Sequence, residues 1–188
     1  MKVKGLLVAA VAAMMCFGAQ NASAIEAPNH EGDFNLNVMG GFLSEYDGGV
    51  GVSVSGDYVL VNSWWKGHFT VGGFVEYNVD KYKYAEYWDR CYSNFSIMAR
   101  STYGLNITDK FEVHAGAMAG FTHWSYKYKA KNGGDEYKPG DDDTKGNDPN
   151  GAGLVGCRFY LTDNFALTAE CIAGPHLTYF NGGLSFKF

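Results

Sequence analysis

Charged and ionisable residues recur in this sequence inside segments that are apolar at every second position. The chain has only three arginines, and two of them, Arg100 and Arg158, stand in such segments. Charges on one face of neighbouring strands interact, so this pattern predicts an ion-pair network that either lines a polar pore or fills it. The predicted network consists of Asp57, Glu76, Arg100, Glu112, His114, Arg158, Glu170 and Lys187.

His123 and Ser125 have the residue types of a nucleophile and its base. Such a pair also needs a third group that orients the histidine, and no acidic residue is placed beside His123 by the same alternation. The acidic segment 141–143 lacks the glycine and closing glutamate of an EF-hand loop, and the histidines have no metal-ligand spacing. The sequence therefore predicts no catalytic residues, no metal site and no cofactor, and we expect a protein that is not an enzyme.

The composition excludes several classes of protein. The 188 residues carry a formal net charge of −5, 16% of them are aromatic, and there are 25 Gly but only 4 Pro. This chain is too apolar for a disordered protein, and four cysteines are too few for a disulfide scaffold. A net acidic chain without a basic run is a poor nucleic-acid binder. The abundance of Gly, Tyr and Phe indicates a large β-structure.

The first 24 residues have the features of a secretory signal. Lys2 and Lys4 precede an apolar stretch, and Ala22 and Ala24 form a small-residue cleavage motif. A lipoprotein signal using Cys16 is the alternative, which Met15 disfavours because a small residue is expected there. We expect residues 1–24 to be a signal peptide and residues 25–188 to be one domain. No later apolar run reaches the roughly 18 residues of a transmembrane helix.

From Asp33 onward the hydrophobic pattern has a period of two, which is typical of strands with one apolar face. The alternate positions are rich in Gly, Ser and compensated charges, as the interior of a small barrel requires. Links between strands are short at one end, whereas segments 80–90 and 130–149 predict two long loops at the other. A soluble β-sandwich is the alternative. The pattern predicts eight strands at about 33–43, 48–60, 67–79, 91–106, 110–129, 150–161, 164–174 and 178–188.

Several of these segments resemble a known family. Gly40-Gly41-Phe42, the turns at 106–111 and 160–165, and the ending Gly183-Leu184-Ser185-Phe186-Lys187-Phe188 are similar to the OmpA/OmpX-like barrel domains of Gram-negative bacteria. The resemblance implies an all-β, eight-stranded, antiparallel, up-and-down transmembrane β-barrel, preceded by a cleavable signal peptide and located in the outer membrane. It also implies that the terminal aromatic, with Leu184, Phe186 and Phe188 alternating, is the signal read by the barrel-insertion machinery.

Aromatic residues gather near the end with the long links. Belts of aromatic side chains at the two membrane–water interfaces explain most of them. This set, however, contains more aromatic residues than such a belt requires, so it also fits a surface that stacks on sugars or docks a protein. The predicted outer-loop aromatic surface consists of Tyr82, Tyr84, Tyr87, Trp88, Trp124, Tyr126 and Tyr128.

We expect a barrel whose lumen is sealed by the charge network and whose outer loops act in surface interaction, adhesion or envelope integrity. Its expected partners are outer-membrane lipid and lipopolysaccharide, the insertion machinery, and an extracellular protein or glycan, with no nucleic acid. The alternatives are a narrow porin or a transporter of a small apolar ligand. A more distant alternative is an enzyme acting on lipid A, because outer-membrane lipid A deacylases carry a His-x-Ser pair. Here Tyr126 stands where that family has an asparagine.

Overall fold

The computed structural model describes residues 29–44, 49–64, 67–85, 88–130 and 144–188. Within them the strands pair antiparallel in chain order, and β1 also pairs with β8, so the sheet closes. The predicted eight-stranded antiparallel barrel is confirmed, whereas the predicted signal peptide, with Ala22 and Ala24, lies outside the described residues. The strands are β1 (Phe34–Phe42), β2 (Val50–Trp64), β3 (Gly67–Ala85), β4 (Trp88–Asn106), β5 (Phe111–Ala130), β6 (Thr144–Thr162), β7 (Phe165–Ala173) and β8 (Phe180–Lys187).

No helix long and apolar enough to cross a membrane is found in the described segments.

The polarity of the barrel is the reverse of that of a soluble protein. Inward side chains such as Asn35, Asn37 and Ser96 are fully buried, whereas Val52 and Phe121 point outward with 64% and 67% of their surface exposed. A soluble β-sandwich would bury these apolar side chains against a second sheet. An apolar outer surface around a polar interior is instead typical of a barrel that spans a membrane.

Three strands, β3, β4 and β6, extend well beyond the bounds that the alternation predicted, whereas β5 has its predicted length. Segment 80–90, expected to be a loop, is largely strand: β3 continues to Ala85 and β4 begins at Trp88. Residues 144–149, also expected to be loop, belong to β6. The charges and tyrosines of these segments were interpreted as loop composition. Tyrosine favours strands, however, and the pairing of β5 with β6 continues across Pro149, which lies opposite Phe121.

The additional length lies at one end of the barrel. About ten residues suffice for a tilted strand to cross a bilayer, but β3, β4 and β6 have 19 residues each and β5 has 20. Tight connections join β2 to β3, β4 to β5 and β6 to β7 at the opposite end. The four long strands therefore continue past their shorter neighbours as a strand extension, defined as residues 80–85, 88–94, 122–130 and 144–152.

The apolar outer surface predicts how substitutions there affect stability. Ile97 points outward from β4 and is 56% exposed. We expect Ile97→Arg to lower the free energy of unfolding by about 2–4 kcal/mol if Ile97 lies in the hydrocarbon layer. Urea titration of the barrel refolded in lipid vesicles measures this cost. Ser125→Arg, which places the same side chain outward on the strand extension, is the matched control and should change stability little. Equal costs at the two sites would contradict this placement.

Candidate functional site

Two arginines and three carboxylates meet inside the barrel, all fully buried. Asp57 lies between the arginines, with Oδ2 2.9 Å from Arg158 Nη2 and Oδ1 2.9 Å from Arg100 Nε. Arg158 also donates to Glu112 Oε1 at 2.9 Å. Arg100 donates from both terminal nitrogens to Glu170, at 3.2 and 2.9 Å. This bidentate geometry is the strongest form of an ion pair.

His114 connects two of the carboxylates. Its Nδ1 lies 3.4 Å from Glu112 Oε1, and its Nε2 lies 3.3 Å from Glu170 Oε1. Of these two contacts only that of Nε2 with Glu170 has hydrogen-bond geometry, whereas Nδ1 is within ion-pair distance of Glu112. With His114 as imidazolium, the cluster contains three cations and three carboxylates. Gly156 allows this approach, because a Cβ there would lie 2.5 Å from His114 Nε2. Asp57, Arg100, Glu112, His114, Arg158 and Glu170 are called the lumen charge cluster.

Two members of the predicted network lie apart from this cluster. Glu76 is buried near the other end of the lumen, where it accepts hydrogen bonds from Asn78 and from the amide and hydroxyl of Thr178. Lys187 lies at the rim near the tight turns, with Nζ 3.7 Å from Asp33. Arg158 pairs with Asp57 and Glu112, and the nearest ion pair of Glu170 is with Arg100. From the turn at 162–164, the sequence also predicts that Arg158 and Glu170 pair diagonally across β6 and β7. The structure shows a different pairing, because Arg158 reaches across the lumen to Asp57 on β2 and Arg100 reaches across it to Glu170 on β7.

The segment before β1 enters the lumen at the tight-turn end. The Asn29 amide donates to Glu112 Oε2 at 2.7 Å and to the Tyr160 hydroxyl at 2.8 Å, and its Oδ1 accepts from Asn35. His68 approaches the same carboxylate, with Nε2 3.6 Å from Glu112 Oε1. Sequence reasoning missed Asn29, because no local pattern shows that a residue preceding the first strand folds inward.

An apolar layer follows the charge cluster along the lumen. Its side chains share the inner face with the charged ones, since Met98 is two residues from Arg100 and Ile172 is two residues from Glu170. The period-two pattern of the sequence indicated these inner-face positions, but only polar residues of that face were included in the prediction of what fills the lumen. The layer consists of Met39, Phe74, Met98, Met118, Ala152, Leu154, Ile172 and Leu177.

The link between β7 and β8 folds into the other end of the lumen. Asn150 donates to the carbonyl of Pro175 at 2.7 Å, and Asn78 donates to the carbonyl of His176 at 2.8 Å. Thr178, which binds Glu76, and Leu177 are fully buried. In the described residues the lumen thus contains Asn29 at one end, then the charge cluster, the apolar layer and the 175–178 link.

The predicted aromatic surface is only partly described. Trp124 and Tyr126 lie on the inner face of the strand extension with their ring planes 4° apart, and Tyr126 contacts Tyr92 of β4. The side chains of Tyr82, Tyr84, Tyr87, Trp88 and Tyr128 lie outside the described residues.

The remaining candidate residues lie on the outer face. His123 and Ser125 share it with Phe121, and Nδ1 of His123 lies 2.8 Å from an amide oxygen, Oδ1 of Asn147, which is not an acid. Among the described residues no group of three His, Cys, Asp or Glu is placed to hold a metal ion. In β8, Leu184 is exposed, Phe186 contacts Phe165, and Phe188 is 71% exposed.

Comparison with known proteins places this architecture in a family. A family model described as the outer membrane protein beta-barrel domain matches residues 9–182. The chain belongs to this family. A protein of the outer membrane protein beta-barrel domain family lies in the bacterial outer membrane. Barrels of this kind have short turns on the periplasmic side, so the strand extension faces the cell exterior.

Solved structures show the same barrel in other proteins. Ail, the attachment invasion locus protein of Yersinia pestis, is 14% identical with a TM-score of 0.53, covering 85% of this chain and 100% of Ail. Ail bound to the heparin analogue sucrose octasulfate has the same identity and coverage and a TM-score of 0.51. The N-terminal β-barrel domain of Pseudomonas aeruginosa OprF is also 14% identical, with a TM-score of 0.47 and the same coverage. No curated protein matches the sequence.

The charge cluster predicts which buried charges matter for the stability of this outer-membrane barrel. Arg158→Met leaves Asp57 and Glu112 without their shared cation. Since breaking a buried ion pair costs about 3–5 kcal/mol, we expect the urea midpoint of the refolded barrel to fall accordingly. Lys187→Met removes a cation at the rim and is the control, with an expected cost below about 1 kcal/mol. An unchanged midpoint for Arg158→Met would refute the structural role of the cluster.

Proposed function

We propose that this protein is a sealed outer-membrane barrel that acts in surface interaction, through the strand extension and the loops it carries. The observation behind this proposal is the one-sided length of β3–β6. A bilayer requires about ten residues per strand, and these strands have nearly twice that number. The additional residues of β3–β6 are not required for crossing the membrane, and they all lie on its extracellular side.

The contents of the lumen support a sealed barrel. An eight-stranded barrel is just wide enough to be filled by side chains. Here the charge cluster joins β2, β4, β5, β6 and β7 across that width. The apolar side chains of the layer above it occupy the lumen, so a hydrated ion that passes them would have to lose water. These two layers argue against a narrow porin.

The similarity to Ail supports a role in attachment. Ail is named as an attachment invasion locus protein, and one of its structures contains a heparin analogue. We propose that the present chain likewise binds an extracellular protein or glycan at its outer end. We further propose that it contacts lipopolysaccharide through its apolar outer face, and that Leu184, Phe186 and Phe188 present the terminal strand to the insertion machinery.

A sealed lumen predicts an electrically silent protein. We expect the mature chain, refolded in detergent and added to a planar lipid bilayer, to produce no steady unitary conductance, because ions must cross both the paired charges and the apolar layer. Heat-dependent gel migration of the same sample confirms that the barrel is folded. Reproducible channels from folded protein would overturn the sealed lumen and favour the porin alternative.

A role in adhesion predicts sensitivity of the outer aromatic residues. We expect combined replacement of Tyr82, Tyr84 and Trp88 by alanine to reduce binding of expressing bacteria to host cells at least about tenfold, since aromatic anchors dominate binding surfaces. Tyr58→Ala, at an exposed aromatic on the outer face of β2, is the control. Unchanged adhesion of the triple variant, together with detergent sensitivity of cells lacking the protein, would favour a role in envelope integrity instead.

A further inference from the structure

Three aromatic rings lie together on the inner face of the strand extension. Tyr92 of β4 pairs in register with Tyr126 of β5, and their ring centroids are 5.5 Å apart. Trp124 lies two residues from Tyr126 on the same strand, with the centroids 6.1 Å apart and the ring planes parallel within 4°. All three side chains are half-buried. They form a continuous aromatic platform above the mouth of the barrel.

The position of the Trp124 indole is fixed by two residues of β6. Gly146 lies opposite Trp124 in the register, and a Cβ at Gly146 would lie 2.7 Å from Cζ2 of the indole. The ring therefore occupies space that any other residue at 146 would fill. The indole Nε1 donates to Asp148 Oδ2 at 2.7 Å, which anchors the ring against the strand. A preorganised ring loses little conformational entropy when a ligand stacks on it.

Polar side chains with unused hydrogen-bonding capacity lie beside the platform. Asn94, opposite Trp124, and Asn150, two residues from Asp148, are both more than nine-tenths buried. Their amide nitrogens donate to Asn78, Thr122 and the Pro175 carbonyl, but within the described residues neither Oδ1 accepts a hydrogen bond. A buried amide oxygen without a donor is costly. These two oxygens have almost no accessible surface, so they lie beneath the platform and not on the surface that a ligand would meet.

The charged groups of the platform are acidic. Asp80, opposite Tyr92 on β3, and Asp148, beneath Trp124, share the inner face with the rings. No lysine or arginine is among the described side chains of this face; Arg90 of β4 has the same parity as Tyr92, but its side chain lies outside the described residues. The two described carboxylates repel sulfates and carboxylates, so they favour an uncharged ligand over a polyanion of the heparin type.

We propose that the aromatic platform of Tyr92, Trp124 and Tyr126 is a binding site for an uncharged oligosaccharide. The apolar face of a sugar ring stacks on the aromatic planes, and its hydroxyls bond the exposed carboxylate of Asp148 beside them. This inference rests on the proposed role in surface interaction and names the ligand class. The proposed ligand differs from the heparin analogue bound to Ail, which is sulfated. A sulfated ligand requires positive charges beside it, whereas the described charges beside this platform are negative.

The test uses the full mature barrel in lipid nanodiscs. Binding to immobilised neutral oligosaccharides (maltohexaose, cellohexaose, chitohexaose and lacto-N-neotetraose) is compared with binding to heparin. We expect at least one neutral sugar to bind and heparin not to bind. Trp124→Ala should weaken that sugar about tenfold, the equivalent of one lost stacking contact. Trp124→Phe should retain most of the affinity.

A second pair of variants separates binding from folding. Gly146→Ala keeps all three aromatic residues of the platform but displaces the indole of Trp124. We therefore expect a severalfold loss of affinity for the same sugar. Gly153→Ala makes the identical change on the outer face of β6, where no atom lies within 4 Å of the new Cβ, and should change nothing. Heat-dependent gel migration checks that each variant is folded.

The outcomes distinguish this site from the wider proposal. Binding of no neutral sugar, binding that Trp124→Ala and Gly146→Ala leave unchanged, or heparin binding that depends on Trp124 would each overturn the saccharide site. If no sugar binds, but cells with the unaltered protein adhere and the triple variant of Tyr82, Tyr84 and Trp88 abolishes adhesion, the role in surface interaction stands with a protein partner instead. If neither sugar binding nor adhesion is found, both proposals fail.

Discussion

A strand inside a bilayer has no water with which to pair its backbone amide and carbonyl groups, so an open sheet edge is not tolerated there. The pairing of β1 with β8, from Asn35 with Lys187 to Phe42 with Phe180, removes both edges of this sheet. Every other feature follows from that closure. Because residues alternate between the two faces, closing the sheet with its apolar side outward places half of each strand in the interior, where polar side chains must satisfy one another.

The interior meets this requirement by pairing charges across the barrel. A buried charge without a partner costs several kcal/mol, so Asp57, Glu112 and Glu170 are stable only with Arg100 and Arg158 in contact. These contacts join residues on five strands, which makes the arrangement of each strand depend on the others. The cluster therefore contributes to a single register of the sheet, because a one-residue slip would move charges to the lipid-facing side.

The sequence was sufficient to predict the closed barrel, because a period of two and the polarity of each face are local properties. It also placed the inward charges by parity, but their partners depend on strands distant in the chain. Arg158 contacts Asp57, 101 residues away, and no local pattern contains that information. The parts of the strand extension on β3, β4 and β6 were missed because tyrosine and lysine occur in loops as well as strands, whereas the part on β5 was predicted. Asn29 and the 175–178 link were missed because irregular segments have no periodicity.

Position along the barrel axis separates the residues that stabilise the barrel from those that are available for function. Substitutions among the paired charges and the apolar layer are constrained by burial, since each side chain there has neighbours on several strands. The outer ends of the four long strands continue past β2 and β7, away from the charge cluster and the apolar layer, so their side chains are selected by other requirements. A glycine that lets Trp124 lie against β6, and an aspartate that holds its indole, are unnecessary for crossing a membrane. Such local precision outside the bilayer supports the proposal of a surface that meets a ligand.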